Sequence, residues 1–242
     1  MRWIYLSPHF DDAVLSCGGL IWEQSQQGIP VEIWTVNAGD PPPGPDSDLI
    51  TRVHTMWQTG NPGQTVAHRR LEDRAAASLA GAGLRHLNNV DAIYRRTRTG
   101  ELMYAVDVFD PIHPAEKGIV RSTARKIAQG LRAGDSLVCP LALGSHVDHI
   151  ITRKASESLG HPLWYYADIP YLFNHPDELA QAVTALKAID FPISARGLAA
   201  WQASISAHRS QISSLFLDLD DMRAKIEAHS SSQNGLTLWK QV

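Results

Sequence analysis

The sequence predicts a doubly wound α/β fold on a mostly parallel sheet, and three observations carry that expectation. Short apolar runs recur along the 242 residues, each bounded by turn residues and followed by a stretch of helical length. The first strand–helix–strand unit closes in about 35 residues, the span of a βαβ crossover, so its strands are parallel and its hand is right. The alternation then continues through the body of the chain without a linker or an internal repeat.

Arg2–Leu6 (RWIYL) is the first buried strand, stopped by Ser-Pro. Leu15 to Gln27 has helical length and ends at Gly28-Ile29-Pro30, with glycine just past the helix and proline soon after. Val31–Val36 is the second strand. Residues 40–67 break the rhythm. They read as a proline-stiffened loop (GDPPPGPDSD), one short helix (LITRVHTMWQTG) and another loop (NPGQ). That is too long for an ordinary connection and predicts a substrate wall or lid. HRRLEDRAAASLAGAG is a helix by propensity. Residues 85–110 fit neither period well. Further on, Ile119–Leu131 reads as helix, Ser136–Pro140 as buried strand, His146–Leu159 as helix and Leu163–Ala167 as strand. Pro176–Ile189 reads as helix, and Ser194–His229 as mostly helix, broken near Phe216–Asp218. The expectation is one Rossmann-like domain over residues 1–242, with helices on both faces of the sheet and an insert at about 40–67.

Formal net charge is −3, with acids and bases mixed and no basic stripe, which argues against a nucleic-acid partner. No apolar run reaches the length of a membrane span. The opening MRWIYLS passes straight into a strand, without the apolar core of a signal peptide. Cys17 and Cys139 each sit in an apolar setting and read as buried thiols, not a disulfide framework. Together these predict a cytoplasmic protein acting on a small molecule. Nothing in the sequence bears on oligomeric state.

The chemistry-bearing residues fall into two clusters. SPHFDDAVLSCGG places His9, Asp11 and Asp12 just after the first strand, where ligands bind in an open parallel sheet. GSHVDHI places His146, Asp148 and His149 a few residues after another buried strand. If a helix opens at His146, His146 and His149 share a face. Imidazole and carboxylate together suit zinc or another divalent first-row ion. Two histidines and one carboxylate would leave a position open for water, and a second carboxylate beside it could take the water's proton. Either aspartate could alternatively cap the following helix, and spacing alone does not say which one would bind metal. There is no G-x-G-x-x-G, P-loop or G-x-S-x-G. Trp57 and His54 of the insert could meet a sugar or could form the inner face of a short helix.

SPHFDDAVLSCGG resembles the Pro-His-x-Asp-Asp signature of the zinc-dependent de-N-acetylases related to GlcNAc-phosphatidylinositol deacetylase, the LmbE-like or PIG-L family. HVDH resembles that family's second motif, His-x-Asp-His. TVNAGD, RRLEDRAAASLAGAG and AHRSQISSLF resemble further segments in the family's order. The resemblance implies one Zn2+ per chain, or another divalent ion, on His9, Asp12 and His149. It implies Asp11 as general base and His146 as the group that stabilises the oxyanion or protonates the amine. Arg69 matches the family arginine that contacts substrate, and Asp91 is a weaker match for a sugar-hydroxyl contact. The implied reaction is hydrolysis of the acetamide on an N-acetylglucosamine-type conjugate. A metal-dependent phosphoesterase and a non-catalytic binding module on the same fold are the alternatives. The chain departs from the family at Ala13, where many members carry glutamate, and at Gly144, where some carry a tyrosine that assists the oxyanion.

Overall fold

The computed structural model describes residues 1–242 apart from positions 110, 234 and 242. Strands β1 (Trp3–Ser7), β2 (Val31–Thr35), β3 (Gly83–His86), β4 (Ser136–Pro140) and β5 (Leu163–Tyr166) run parallel in the spatial order β3-β2-β1-β4-β5. All residues of β1 and β4 are buried, as their unbroken apolar runs require of strands covered on both faces. Beyond β5 the sheet turns antiparallel. Strand β7 (Leu236–Gln241) pairs with β5, and β6 (Leu186–Phe191) pairs with β7.

The helices are α1 (Asp12–Gln26), α2 (Asp48–Met56), α3 (Pro62–Leu79), α4 (Ile119–Ala128) and α5 (Val147–Glu157). They continue as α6 (Tyr171–Asn174), α7 (Pro176–Ala182), α8 (Ala195–Ser206), α9 (Arg209–Leu215) and α10 (Leu219–Ser232). None is long and apolar enough to cross a membrane among the described residues.

Helix α1 is fixed from behind by Trp201 of α8. A Cβ on Gly18 would lie 2.6 Å from the indole Cδ1, and one on Gly19 would lie 2.9 Å from Cε3. The bare backbone at these two positions lets the ring seat, and its Nε1 donates to the carbonyls of Val14 and Leu15 at 2.9 and 3.1 Å. The glycine pair in SPHFDDAVLSCGG is therefore a packing surface. Cys17, between the motif and that surface, is fully buried, as is Cys139 on β4.

Several expectations need correction. The first helix starts at Asp12, not Leu15, so the aspartate pair itself opens it. Helix α3 starts at Pro62, not His68, because the Asn61 side chain caps it by accepting from the Gln64 amide at 3.0 Å. Only the first half of Pro176–Ile189 is helical. From Leu186 the chain is an edge strand whose pairing with β7 overrides its helical pattern. Strand β7 was not foreseen, nor was β3, which begins just before residues 85–110. The C-terminal helical run breaks at Ala207-His208 as well as at Phe216–Asp218.

Candidate active site

The strand order reverses between β1 and β4, and the crevice outside their carboxyl ends is where such sheets bind ligands. The segment leaving β1 delivers His9, Asp11 and Asp12. The Ser7 Oγ accepts from the Ala13 amide at 2.9 Å, and Asp12 Oδ2 accepts from the His9 amide at 2.7 Å. Asp11 holds the N-cap position of α1, yet its side chain makes no cap hydrogen bond. Its carboxylate faces the Arg69 guanidinium at 3.4 Å instead, which removes the simple capping explanation for this residue.

The segment leaving β4 turns through positive φ at Ala142, Gly144 and Ser145 and enters α5 with His146 as N-cap. His146 Nδ1 accepts from the Asp148 amide at 3.1 Å, which leaves Nε2 for the cavity. The His146 and His149 rings lie 5.3 Å apart, and His9 lies 4.7 and 5.4 Å from them.

Two overlapping groups among the described residues could hold a metal ion: His9, Asp12 and His149; and His9, His146 and Asp148. The second is already committed. Asp148 is fully buried, accepts from the Ala92 amide at 2.9 Å and forms an ion pair with Arg95. The first is open. Asp12 Oδ2 stands 3.1 Å from His9 Nδ1 and 3.4 Å from His149 Nε2, and His149 Nε2 is buried with no hydrogen-bond partner. Both rings are backed by a carboxylate on the far side. His9 Nε2 lies 3.2 Å from Asp148, and His149 Nδ1 lies 2.6 Å from Asp168. This is the carboxylate–histidine arrangement that fixes the tautomer of a metal ligand. The donor set of two imidazoles and one carboxylate fits a divalent ion.

The electrostatics agree. Burial opposes a charged His149, but Asp12 and Asp168 push it up to about 9, so the spot favours a cation. Burial likewise works against the Asp12 carboxylate, and His149 and His9 hold it well below the usual range. Asp11 behaves oppositely. Burial pushes its carboxyl up, against the pull of Arg69. Burial, reinforced by His9 and His149, holds His146 well below the ordinary imidazole value.

A cavity of about 260 Å³ opens on this group and is lined by His9, Asp11, Asp12, Arg69, Asp91 and His146, among others. The proposed ligands, base and substrate contacts of the sequence therefore converge here, with His149 buried directly behind Asp12. Asp91 Oδ2 lies 3.9 Å from Arg69 and 4.0 Å from His9. Trp57 of the insert lines the cavity and stacks on Arg69 at 4.4 Å, whereas His54 turns inward to the Tyr94 hydroxyl at 2.7 Å. A larger open cavity of about 710 Å³ shares Met56 and Trp57 but touches none of the histidine–aspartate group. Asp168, Arg95 and Tyr171 were missed in the sequence. The first and last follow β5 as His9 follows β1, and that position at a strand end was the available signal.

The family profile for GlcNAc-PI de-N-acetylase (PIG-L) matches residues 4–159. The chain is 30% identical over 193 residues to the 2'-N-acetylparomamine deacetylase of Niallia circulans, covering 73% of this chain and 70% of that protein. The zinc-inhibited form of teicoplanin deacetylase Orf2 superposes with a TM-score of 0.85 at 26% identity, over 100% of this chain and 98% of that one. A deacetylase–teicoplanin complex from the teicoplanin biosynthesis pathway gives 0.80 at 26% identity over the same shares. With the paired motifs, the switch-point crevice and these matches together, the chain belongs to the GlcNAc-PI de-N-acetylase (PIG-L) family and is a hydrolytic N-deacetylase.

Proposed function

We propose that the chain removes acetate from an N-acetylated amino-sugar conjugate, leaving a free amine, with one zinc or other divalent first-row ion on His9, Asp12 and His149. A divalent ion in such a site polarises a carbonyl and lowers the pKa of water toward neutrality. The chain's own residues do the rest. Asp11, outside the ligand group but in the same cavity, takes a proton from the attacking water. Its burial raises its affinity for that proton. Asp11 then gives that proton to the departing nitrogen, while His146, whose Nδ1 accepts from the Asp148 amide, turns its Nε2–H to the cavity to stabilise the oxyanion. Arg69 and Asp91 meet the sugar hydroxyls, and Trp57 with the preceding helix α2 forms the wall against the aglycone. The domain is read as residues 1–242 with that insert as its substrate wall.

The observation that supports this reading best is the division between the adjacent aspartates. Asp12 faces both ring nitrogens of the ligand group, while Asp11 faces Arg69 and the cavity. The relatives named for acetylparomamine and teicoplanin deacetylation suggest an aminoglycoside-like or glycopeptide-like conjugate. A phosphoesterase with two ions is disfavoured because Asp148 is held by Arg95.

The test is metal analysis with acetate release from a panel of N-acetylglucosamine conjugates, after reconstitution with different divalent ions. His149→Ala should lose the metal. Asp11→Asn should keep it and lower kcat by roughly 10²–10⁴. Metal retained in the first variant, or lost in the second, would overturn the assignment.

A further inference from the structure

Gly144, two residues before His146, has no side chain, and the structure puts another residue in that space. A Cβ built on Gly144 would fall 2.3 Å from Cδ1, 2.7 Å from Cγ and 3.0 Å from Cε1 of Tyr171, the first residue of α6. Gly144 also has φ of +72°, a conformation that favours glycine. The Tyr171 ring stands edge-on to His149, with centroids 5.4 Å apart, and lines the cavity with His9, Asp11 and Asp12.

The chain has six tyrosines. Five engage their hydroxyls within the protein: Tyr5 on Gln24, Tyr94 on His54, Tyr104 on Glu116, Tyr165 on Glu157 and Tyr166 on the Leu6 carbonyl. The Tyr171 hydroxyl makes no hydrogen bond to another described residue, although its ring is fixed on two sides. We propose that Tyr171 is a further catalytic residue, whose hydroxyl donates a hydrogen bond to the oxyanion of the tetrahedral intermediate. This rests on the deacetylase reading above.

The neighbours leave room for such a donor. His146 has one nitrogen for the cavity, because its Nδ1 accepts from the Asp148 amide, so it offers a single N–H there. A tetrahedral oxyanion accepts more than one hydrogen bond, and a second donor adds to the first. Arg69 is drawn toward Asp11 and Asp91. A fixed donor aimed at developing charge is worth roughly 10²–10³ in kcat.

The variant is Tyr171→Phe, which keeps the ring against Gly144. It should retain the wild-type metal content. Binding of methylphosphonate, a tetrahedral anion with no sugar, to the zinc-loaded protein should weaken by roughly tenfold, read by calorimetry, as expected for one lost hydrogen bond to a charged group. With the best substrate of the panel, kcat should fall roughly 10²–10³ and KM stay within about twofold. Unchanged methylphosphonate affinity would overturn the proposal. So would loss of metal, or a raised KM with kcat held, which would make Tyr171 a support or a wall for the sugar. If the wild-type chain releases acetate from no panel member, the deacetylase reading fails separately, and the methylphosphonate comparison still decides whether Tyr171 serves an anion.

Discussion

Replacing Asp168 by asparagine tests the support of the candidate metal group without changing its shape. Asp168 is buried, and its two oxygens do two jobs. Oδ1 accepts from His149 Nδ1 at 2.6 Å, and Oδ2 accepts from the Leu143 amide at 3.2 Å. A carboxylate supplies two acceptors, and a carboxamide supplies only one. If the asparagine oxygen stays on His149, its NH2 faces the Leu143 N–H, and a buried donor is left unpaired at about 1–3 kcal/mol. If the amide flips, its NH2 donates to His149 Nδ1. The ring proton must then move to Nε2, the nitrogen that faces Asp12 and that a metal would take. Either way metal affinity falls. Loss of a partner behind a ligating histidine typically weakens binding 10–100-fold, or about 1.4–2.8 kcal/mol. Zinc competition against a chromophoric chelator would read this as a dissociation constant raised about 10–100-fold. Imidazole nitrogen shifts in the metal-free protein would separate the two routes. A constant within about twofold of wild type would refute the reasoning, because Asp168 would then not orient His149.

Three other outcomes are expected. Gly18→Ala puts a methyl against the Trp201 indole; the overpacking cost of about 1–3 kcal/mol exceeds the helix-propensity gain, and urea unfolding should shift to lower concentration. Asp135 accepts from Arg2 at 2.6 Å and from the Arg132 amide at 2.8 Å, and although burial opposes its charge, these partners hold its carboxyl below the ordinary range. A depressed folded value contributes stability above the unfolded pKa of about 4, lost as pH falls through the folded one, so the wild-type advantage over Asp135→Asn should be full at pH 7 and vanish in acid titration of thermal unfolding. Cys17 and Cys139 should resist an aromatic disulfide reagent in the native state and both react in denaturant, since each is fully buried.

The central strands were legible because burial on both faces writes itself as an unbroken apolar run. Trp3–Ser7, Val31–Thr35, Ser136–Pro140 and Leu163–Tyr166 fall within a residue of their expected bounds. Leu186–Phe191 was not legible, because an edge strand is half exposed and its identity is decided by β7, more than forty residues later. In the site, His9, Asp11, Asp12, His146 and His149 could be grouped because their motifs are dense. Asp168 is a lone carboxylate in YYADIPYLF, and nothing local tells it from a surface aspartate. Its meaning comes from β5 lying beside β4, which brings it to His149. Tyr171 is hidden for the same reason, since its ring meets the bare Gly144 backbone only in the folded chain.

The place of β4 in the sheet sets an order of assembly. Ser136–Val138 of β4 pairs directly with Trp3–Tyr5, so β1 waits for more than half the chain before its second neighbour exists. Trp201, which closes over Gly18 and Gly19, arrives later still. A chain made from its N-terminus at about 5–20 residues per second carries His9 and Asp12 without His149 for roughly 7–27 seconds. Contacts this distant in sequence slow folding, because the loop between them must be ordered before they repay it. If His9, Asp12 and His149 hold a metal ion as proposed, that competence emerges only with the late docking of these distant segments, and metal uptake would then serve as a clock for the end of folding.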